Sequence, residues 1–286
     1  MPAELTSRDS RSERAWAAID WSPAVPWAEL IDADHYAVDG LAALTPAQRI
    51  RFSQLATCHT CELFIHFERY LVEYVERHAA TLPGSPGRWR RFVAEERRHV
   101  AAFARLLAVI RPDLYPGGGQ RFMAWGLADD LLVRAVRPVP FFLLAALFEE
   151  ITLWVPRLLA EAPVHYAPLF EVMALHADEE RGHIALDKHV LRDAIEREPR
   201  WRLRADVWTV LPLLVHCDRR ARAGWRRMTA ALAREAGLDD ATRRALEVRG
   251  ASASDRAGMT SFAAQLRGLA LPDAGALATL LERLAR

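Results

Sequence analysis

Apolar and charged residues alternate at three- and four-residue spacing along most of the chain, and neither period-two alternation nor a longer repeating unit stands out. This pattern predicts an all-α protein. A segment carrying Trp16, Trp21, Pro23, Pro26 and Trp27 leads to Pro46, a favourable first-turn residue, from which a long helix A runs to about Ala80. Leu82-Pro83-Gly84-Ser85-Pro86-Gly87 stops it, and helix B follows from about Trp89 to Ile110, before Pro112 and the turn at Gly117 to Gly119. Helices A and B form an antiparallel hairpin. A shorter helix covers about Phe122 to Val136; Pro138 and Pro140 separate it from helix C, about Phe141 to Ala160, which Pro163 ends. Helix D opens near Pro168 and runs to about Ile195, and a segment from about Trp201 to Ala236 plus shorter helical patterns fill the C-terminus. No linker divides the chain, so residues 1–286 read as one domain, with a core at about 46–195 and C-terminal helices from about 200 packed on it.

Two near-identical strings stand out against this background. Helix B carries Glu95-Glu96-Arg97-Arg98-His99 and helix D carries Glu179-Glu180-Arg181-Gly182-His183, each holding a Glu-x-x-His. Positions i and i+3 share a helix face, so a carboxylate and an imidazole from one element reach one metal ion. Two such motifs on long helices, each preceded by a hairpin partner that offers a glutamate, match the di-iron carboxylate bundle pattern of two Glu plus two Glu-x-x-His. Carboxylates bridge two iron ions and change binding mode with oxidation state, histidine adds nitrogen to each, and without metal such a buried cluster is costly.

Helical phase selects the glutamate of helix A. Glu62, Glu73 and Glu76 share a side with His66, Arg69 and Arg77, which reads as solvated, whereas Glu68 falls among Cys61, Phe64, Leu71, Val72 and Val75. Counted from the turn, Glu68 lies level with Glu96 and Glu62 about 9 Å further along. In helix C the surroundings of Glu149 and Glu150 are apolar almost all round, and periodicity leaves both open. Helix D adds His176 to the stripe of Glu180 and His183, giving a third nitrogen, and Asp187 continues it, either beside the ligands or in solvent. Glu95 and Glu179 either orient the opposite histidine or pair with Arg97 and Arg181. Phe64, Leu71, Phe92 and Phe103 are candidate pocket walls.

Composition narrows the function further. With 38 basic and 37 acidic residues the net charge is +1, which provides no field for nucleic acid or an anionic membrane. The stretch Met1 to Arg14 has no apolar h-region, and the run Val139 to Phe148 is too short to span a bilayer, so a cytoplasmic location is expected. Cys58, Cys61 and Cys217 make neither a disulfide framework nor a zinc or iron–sulfur set, and no dinucleotide fingerprint is present. Electrons therefore come from outside the chain.

From about Pro46 to Val190 the sequence resembles the bacterial arylamine (p-aminobenzoate) N-oxygenase family, non-haem di-iron enzymes of the ferritin-like superfamily. The resemblance rests on Pro46, Gln48, Arg49, Arg51, Glu62, Ile65 and Glu68 in helix A, and on Leu175-His176, Asp178 or Glu179, Glu180 and His183 in helix D. It implies a ferritin-like bundle with additional C-terminal helices. It also implies metal ligands Glu68, Glu96, His99, Glu149, His176, Glu180 and His183, where Glu149 followed by Leu158-Leu159-Ala160 is selected over Glu150 by the resemblance alone. The implied cofactors are two iron ions with O2 as co-substrate, manganese being the alternative metal. The implied partners are a small amine substrate and an external electron donor, with a homodimer as the assembly to test. Three departures bear on the pocket: a shorter A–B loop, Pro156 close to the ligand in helix C, where it removes the hydrogen bond to the Thr152 carbonyl, and little match beyond about residue 200. The rival readings are another di-metal oxidase, of hydroxylase or desaturase type, a ferritin-like iron-handling protein, and a helical interaction protein with accidental motifs.

Overall fold

The computed structural model describes residues 11–117, 119–160, 166–250 and 252–284. The expectations placed on Met1–Ser10, Gly118 and Pro163 lie outside them, as does the side chain of Leu158. Among the described residues a short helical stretch at 11–17 is followed by α1 (Pro46–His78), α2 (Pro86–Ile110), α3 (Leu127–Ala135), α4 (Pro138–Thr152), α5 (Val155–Ala160), α6 (Ala167–Arg197), α7 (Arg200–Ala236), α8 (Asp240–Glu247), α9 (Ala253–Arg267) and α10 (Ala274–Leu284). Among the described residues there is no strand, only one antiparallel bridge between Val38 and Arg249.

Local signals set the helix starts. Thr45 and Gln48 form a reciprocal capping box at the head of α1. Ser85 caps α2 with Pro86 in its first turn, and α6 opens on Ala167-Pro168. Two boundaries differ from the sequence expectation. The Pro138–Pro140 pair does not precede helix C but forms its first turn, where the missing N–H groups have no helical partner to lose. Pro156 does more than kink the helix: α4 ends at Thr152, a turn follows at Leu153–Trp154, and α5 restarts at Val155. The Thr152 hydroxyl donates to the Glu149 carbonyl at 2.7 Å in the last turn.

Helices α1 and α2 form the expected hairpin, α4 pairs with α6, and α2 lies against α6, closing a four-helix bundle of the ferritin-like, all-α kind. Helix α7 packs on α1 and α4, and α9 on α4. Close approach is built into two of these contacts. A Cβ at Gly258 would sit 2.6 Å from Ile151 Cα, so only glycine lets α9 come this near α4, and one at Gly224 would sit 2.8 Å from the His59 side chain at Nε2 and displace it. The stretch Pro138–Arg157, which runs through α4, the turn and the start of α5, is by length and composition apolar enough to cross a membrane and longer than the apolar run visible in the sequence, yet it is mostly buried in the protein. Its helix α4 sits in a core covered on several sides.

Two apolar clusters occupy the ends of the bundle. One gathers Leu71, Val75, Trp89, Phe92, Leu144 and Leu186; the other gathers Cys58, Cys61, Phe103, Leu107, Leu169 and Met173. Between them, at mid-height, lies a polar layer.

Candidate metal centre

That layer is assembled from one position on each of four helices, two of them contributing a motif. Glu68 on α1, Glu96 and His99 on α2, Glu149 on α4, and His176, Glu180 and His183 on α6 are all at most 4% exposed. Their polar atoms fall into two groups, Glu68–His99–His176–Glu180 and Glu96–Glu149–Glu180–His183, in each of which the ligand atoms lie within 4.8 Å of one another. Two carboxylates reach both groups. Glu96 sets Oε2 3.1 Å from His99 Nδ1 and Oε1 2.9 Å from His183 Nδ1. Glu180 sets Oε1 3.0 Å from His176 Nε2 and Oε2 3.4 Å from His183 Nδ1.

Hydrogen bonds satisfy only part of the layer, His99 Nδ1 with Glu96 Oε2 at 3.1 Å and His176 Nε2 with Glu68 Oε1 at 2.7 Å. Glu68 Oε2, Glu96 Oε1, both oxygens of Glu149 and of Glu180, and His183 Nδ1 are buried without a hydrogen-bond partner, although several lie about 3 Å from another polar atom. Close, convergent and misaligned is what ligands around a shared ion look like: two donors about 2.1 Å from one ion at right angles sit about 3.0 Å apart. Charge agrees, because the four carboxylates of Glu68, Glu96, Glu149 and Glu180 balance two divalent cations. The donor set, carboxylate oxygen with imidazole nitrogen, suits iron or manganese. The residues present therefore fit a di-metal centre.

The outer nitrogens are held from across the helix pair. His99 Nε2–H donates to Glu179 Oε2 at 2.8 Å, and His183 Nε2–H donates to Glu95 Oε2 at 3.1 Å. Each motif's leading glutamate thus orients the other motif's histidine, which leaves the Nδ1 lone pair of both rings facing the centre. The alternative pairing is taken up elsewhere, Arg97 with Glu76 and Arg181 with Asp178. Glu179 is further fixed by Arg98, by the Trp16 indole at 3.2 Å and by Ser12, and Trp16 packs on His99 with ring centroids 5.7 Å apart.

Burial dominates the proton chemistry of the metal-free chain. It pulls imidazoles down, but the carboxylates outweigh it: Glu179, Glu68 and Glu96 hold His99 up, and Glu96 and Glu180 hold His183 up. His176 is also raised, by Glu180 and Glu68 against burial. Burial raises Glu149, with Asp187 and Glu180 adding to it, and burial raises Asp187. Burial pushes Glu68 and Glu180 up too, but a hydrogen bond with Glu96 together with His176 and His99 holds Glu68, and His183 with His176 holds Glu180, below the ordinary carboxylate range. The raised groups stabilise the metal-free fold while protonated and lose that contribution as pH rises through their folded-state pKa, whereas the contribution of Glu68 and Glu180 is lost only in acid. Metal binding must displace the same protons, so its affinity rises with pH. The Tm difference between metal-loaded and metal-free protein is therefore expected to widen from about pH 6 to about pH 8.5. Melting both forms across that range checks it, and a narrowing gap would contradict the assigned centre.

Sequence reasoning misjudged one face of helix A. Glu62 and His66 are not solvated: they are 0% and 4% exposed. Glu62 accepts the Tyr115 hydroxyl at 2.6 Å and the backbone N–H groups of Arg121, Phe122 and Met123 at 2.6–2.8 Å, anchoring the segment between α2 and α3. His66 packs with Tyr70 beside the buried Asp129. Periodicity marked a polar stripe correctly but had no way to show that α3, α7 and a loop would cover it. Glu150, left open by periodicity, turns to α9, where Ser261 donates to it at 2.7 Å and Gln265 also donates. Asp187 is fully buried rather than solvated, its two oxygens unpartnered next to Glu149.

A cavity of about 640 Å³ lies between α1, α4 and α7. None of the candidate ligands lines it, but Phe64 does and packs on His176 with ring centroids 5.4 Å apart, and Phe67 and Phe148, also in the lining, are each next in sequence to a candidate ligand. Of the expected wall residues only Phe64 lines it. Phe103 stacks behind Phe64 at 4.9 Å, Phe92 packs on His183, and Leu71 belongs to the apolar core. Phe67 and Phe148, each next to a candidate ligand in sequence, were the signal to follow.

No curated protein matches the chain. The family model described as P-aminobenzoate N-oxygenase AurF matches residues 9–271, continuing well past residue 200, where the likeness is no longer traceable by eye. With nearly the whole chain matched and two buried carboxylate–histidine groups that fit a di-metal site, the protein belongs to the p-aminobenzoate N-oxygenase family of oxygenases.

Proposed function

We propose that Glu68, Glu96, His99, Glu149, His176, Glu180 and His183 would hold two iron ions, Glu68, His99 and His176 on one side and Glu149 and His183 on the other, in an enzyme that oxidises the nitrogen of a small amine with O2. The observation that supports this reading best is that Glu96 and Glu180 each direct one oxygen to the histidines of either side. When bound, the two irons supply the O2 and electron chemistry that no side chain here supplies. Glu95 and Glu179 keep the histidine rings in one tautomer. The apolar clusters above and below exclude water, and the cavity behind Phe64, Phe67 and Phe148 receives the substrate. The electron donor is a separate reductase, ferredoxin or peroxide.

The test is aerobic turnover of the metal-loaded protein with a chemical reductant on a panel of aryl and alkyl amines and matched hydrocarbons. Nitrogen-bound oxygen from labelled O2 is the expected product, with iron and not manganese supporting it. Oxidation of hydrocarbons alone, or deposition of many irons per chain without organic turnover, would overturn the reading.

A further inference from the structure

The rings packed on the candidate-ligand histidines are not all alike. Phe64 and Phe103 pack on His176 and Phe92 packs on His183, with ring centroids 4.6–5.4 Å apart. A phenyl ring resists oxidation. His99 instead carries Trp16, with ring centroids 5.7 Å apart, and an indole gives up an electron far more readily.

Hydrogen bonds join the same three groups. The Trp16 indole N–H donates to Glu179 Oε1 at 3.2 Å, and His99 Nε2–H donates to the other oxygen of that carboxylate at 2.8 Å. Since the Nδ1 of His99 faces the centre, indole, carboxylate and imidazole form one continuous path to it. Trp16 belongs to the helical stretch at 11–17, outside the bundle, and at 8% exposed it lies just beneath the surface. It does not line the cavity between α1, α4 and α7, so the path and the cavity reach the centre separately.

We propose that Trp16 is an electron relay: when O2 has oxidised the centre and no substrate fills the cavity, the indole passes one electron inward along Glu179 and His99. This rests on reading the centre as an O2-activating di-iron site. The centre gains one electron, and the indole becomes a cation radical that keeps its N–H proton. Glu179 still accepts that hydrogen, and its negative charge, 3.2 Å from the nitrogen, offsets the positive charge left on the ring. A soluble one-electron reductant of the thiolate or ascorbate class then restores the indole from the surface and is itself oxidised by one electron. Unused oxidant is thereby discharged through a side chain that can be restored, and not through the ligands or the cavity walls.

Electron paramagnetic resonance tests this on iron-loaded, pre-reduced protein mixed with O2, without amine or added reductant, and freeze-quenched over milliseconds to minutes. An organic radical is expected, with a hyperfine pattern that narrows when the protein is made with ring-deuterated tryptophan and not with ring-deuterated tyrosine. Trp16→Phe is expected to lose the signal while its ferrous centre is still oxidised. Trp21→Phe, which alters a ring that packs under Arg105 instead, is expected to keep it. Trp16→Tyr is expected to restore a radical that now answers to the tyrosine label, an exchange that a purely structural role for Trp16 does not produce. Oxidation of the parent centre without a tryptophan radical would overturn the relay, and that result needs no variant to fold. The same radical in Trp16→Phe would also overturn it. A ferrous parent protein that does not react with O2 at all refutes the oxygenase reading and the relay with it, whereas amine oxidation without any radical refutes the relay alone.

Discussion

Replacing Glu180 with glutamine or alanine is expected to strip both metal ions from the chain, whereas Glu149→Ala is expected to strip mainly one. The difference follows from where the oxygens face. Glu180 presents one oxygen to each group, and both are buried without any other partner, so each ion loses a ligand when it is removed. Glu149 belongs to the second group only. Metal content of purified protein should fall from about two per chain to near zero for Glu180 and to about one for Glu149, with O2-dependent turnover lost in both. Because His176 and His183 hold Glu180 ionised, its charge also stabilises the metal-free fold, and metal-free Glu180→Gln protein is expected to melt lower than metal-free parent protein. Metal content is therefore read on protein whose helical circular dichroism matches the parent's, and the Glu149→Ala comparison separates ligand loss from general destabilisation. Two metals per chain in a Glu180 variant would sink the ligand assignment.

The second large effect is expected one shell out. Glu179→Gln should weaken the ion held by His99, and Glu95→Gln the ion held by His183, each by about 10–100-fold in chelator competition. A neutral amide still accepts from Nε2–H but no longer makes the imidazole more basic, so the Nδ1 lone pair becomes a poorer donor. The reciprocal wiring gives a signature that a general loss of stability does not. Each single variant should release one ion early and the double variant both. Glu179→Gln is expected to be the more severe, because Arg98, Trp16 and Ser12 also converge on that carboxylate. Early release of both ions by either single variant would show that the two rings are not held separately.

The motif-bearing helices, the hairpin of α1 with α2 and the level of Glu68 were legible because each depends on spacing within one element. A 3.6-residue turn puts Glu96 with His99, and His176 with Glu180 and His183, on one face whatever surrounds them. Glu149 was reached through family resemblance, since α4 is buried on nearly every side and an all-round apolar helix has no phase to read.

Local pattern carries the helices and the candidate ligand residues on them, since propensity, caps and periodicity act over a few residues. The remainder comes from how the helices pack. Packing alone shows that Glu62 and His66 are covered, that Glu95 and Glu179 exchange partners across the α2–α6 pair, that Glu150 turns away to α9, and that Tyr36 and Arg249, more than 200 residues apart in the chain, line one cavity. These depend on which helix faces which. Packing between distant segments sets that, and no local pattern encodes it.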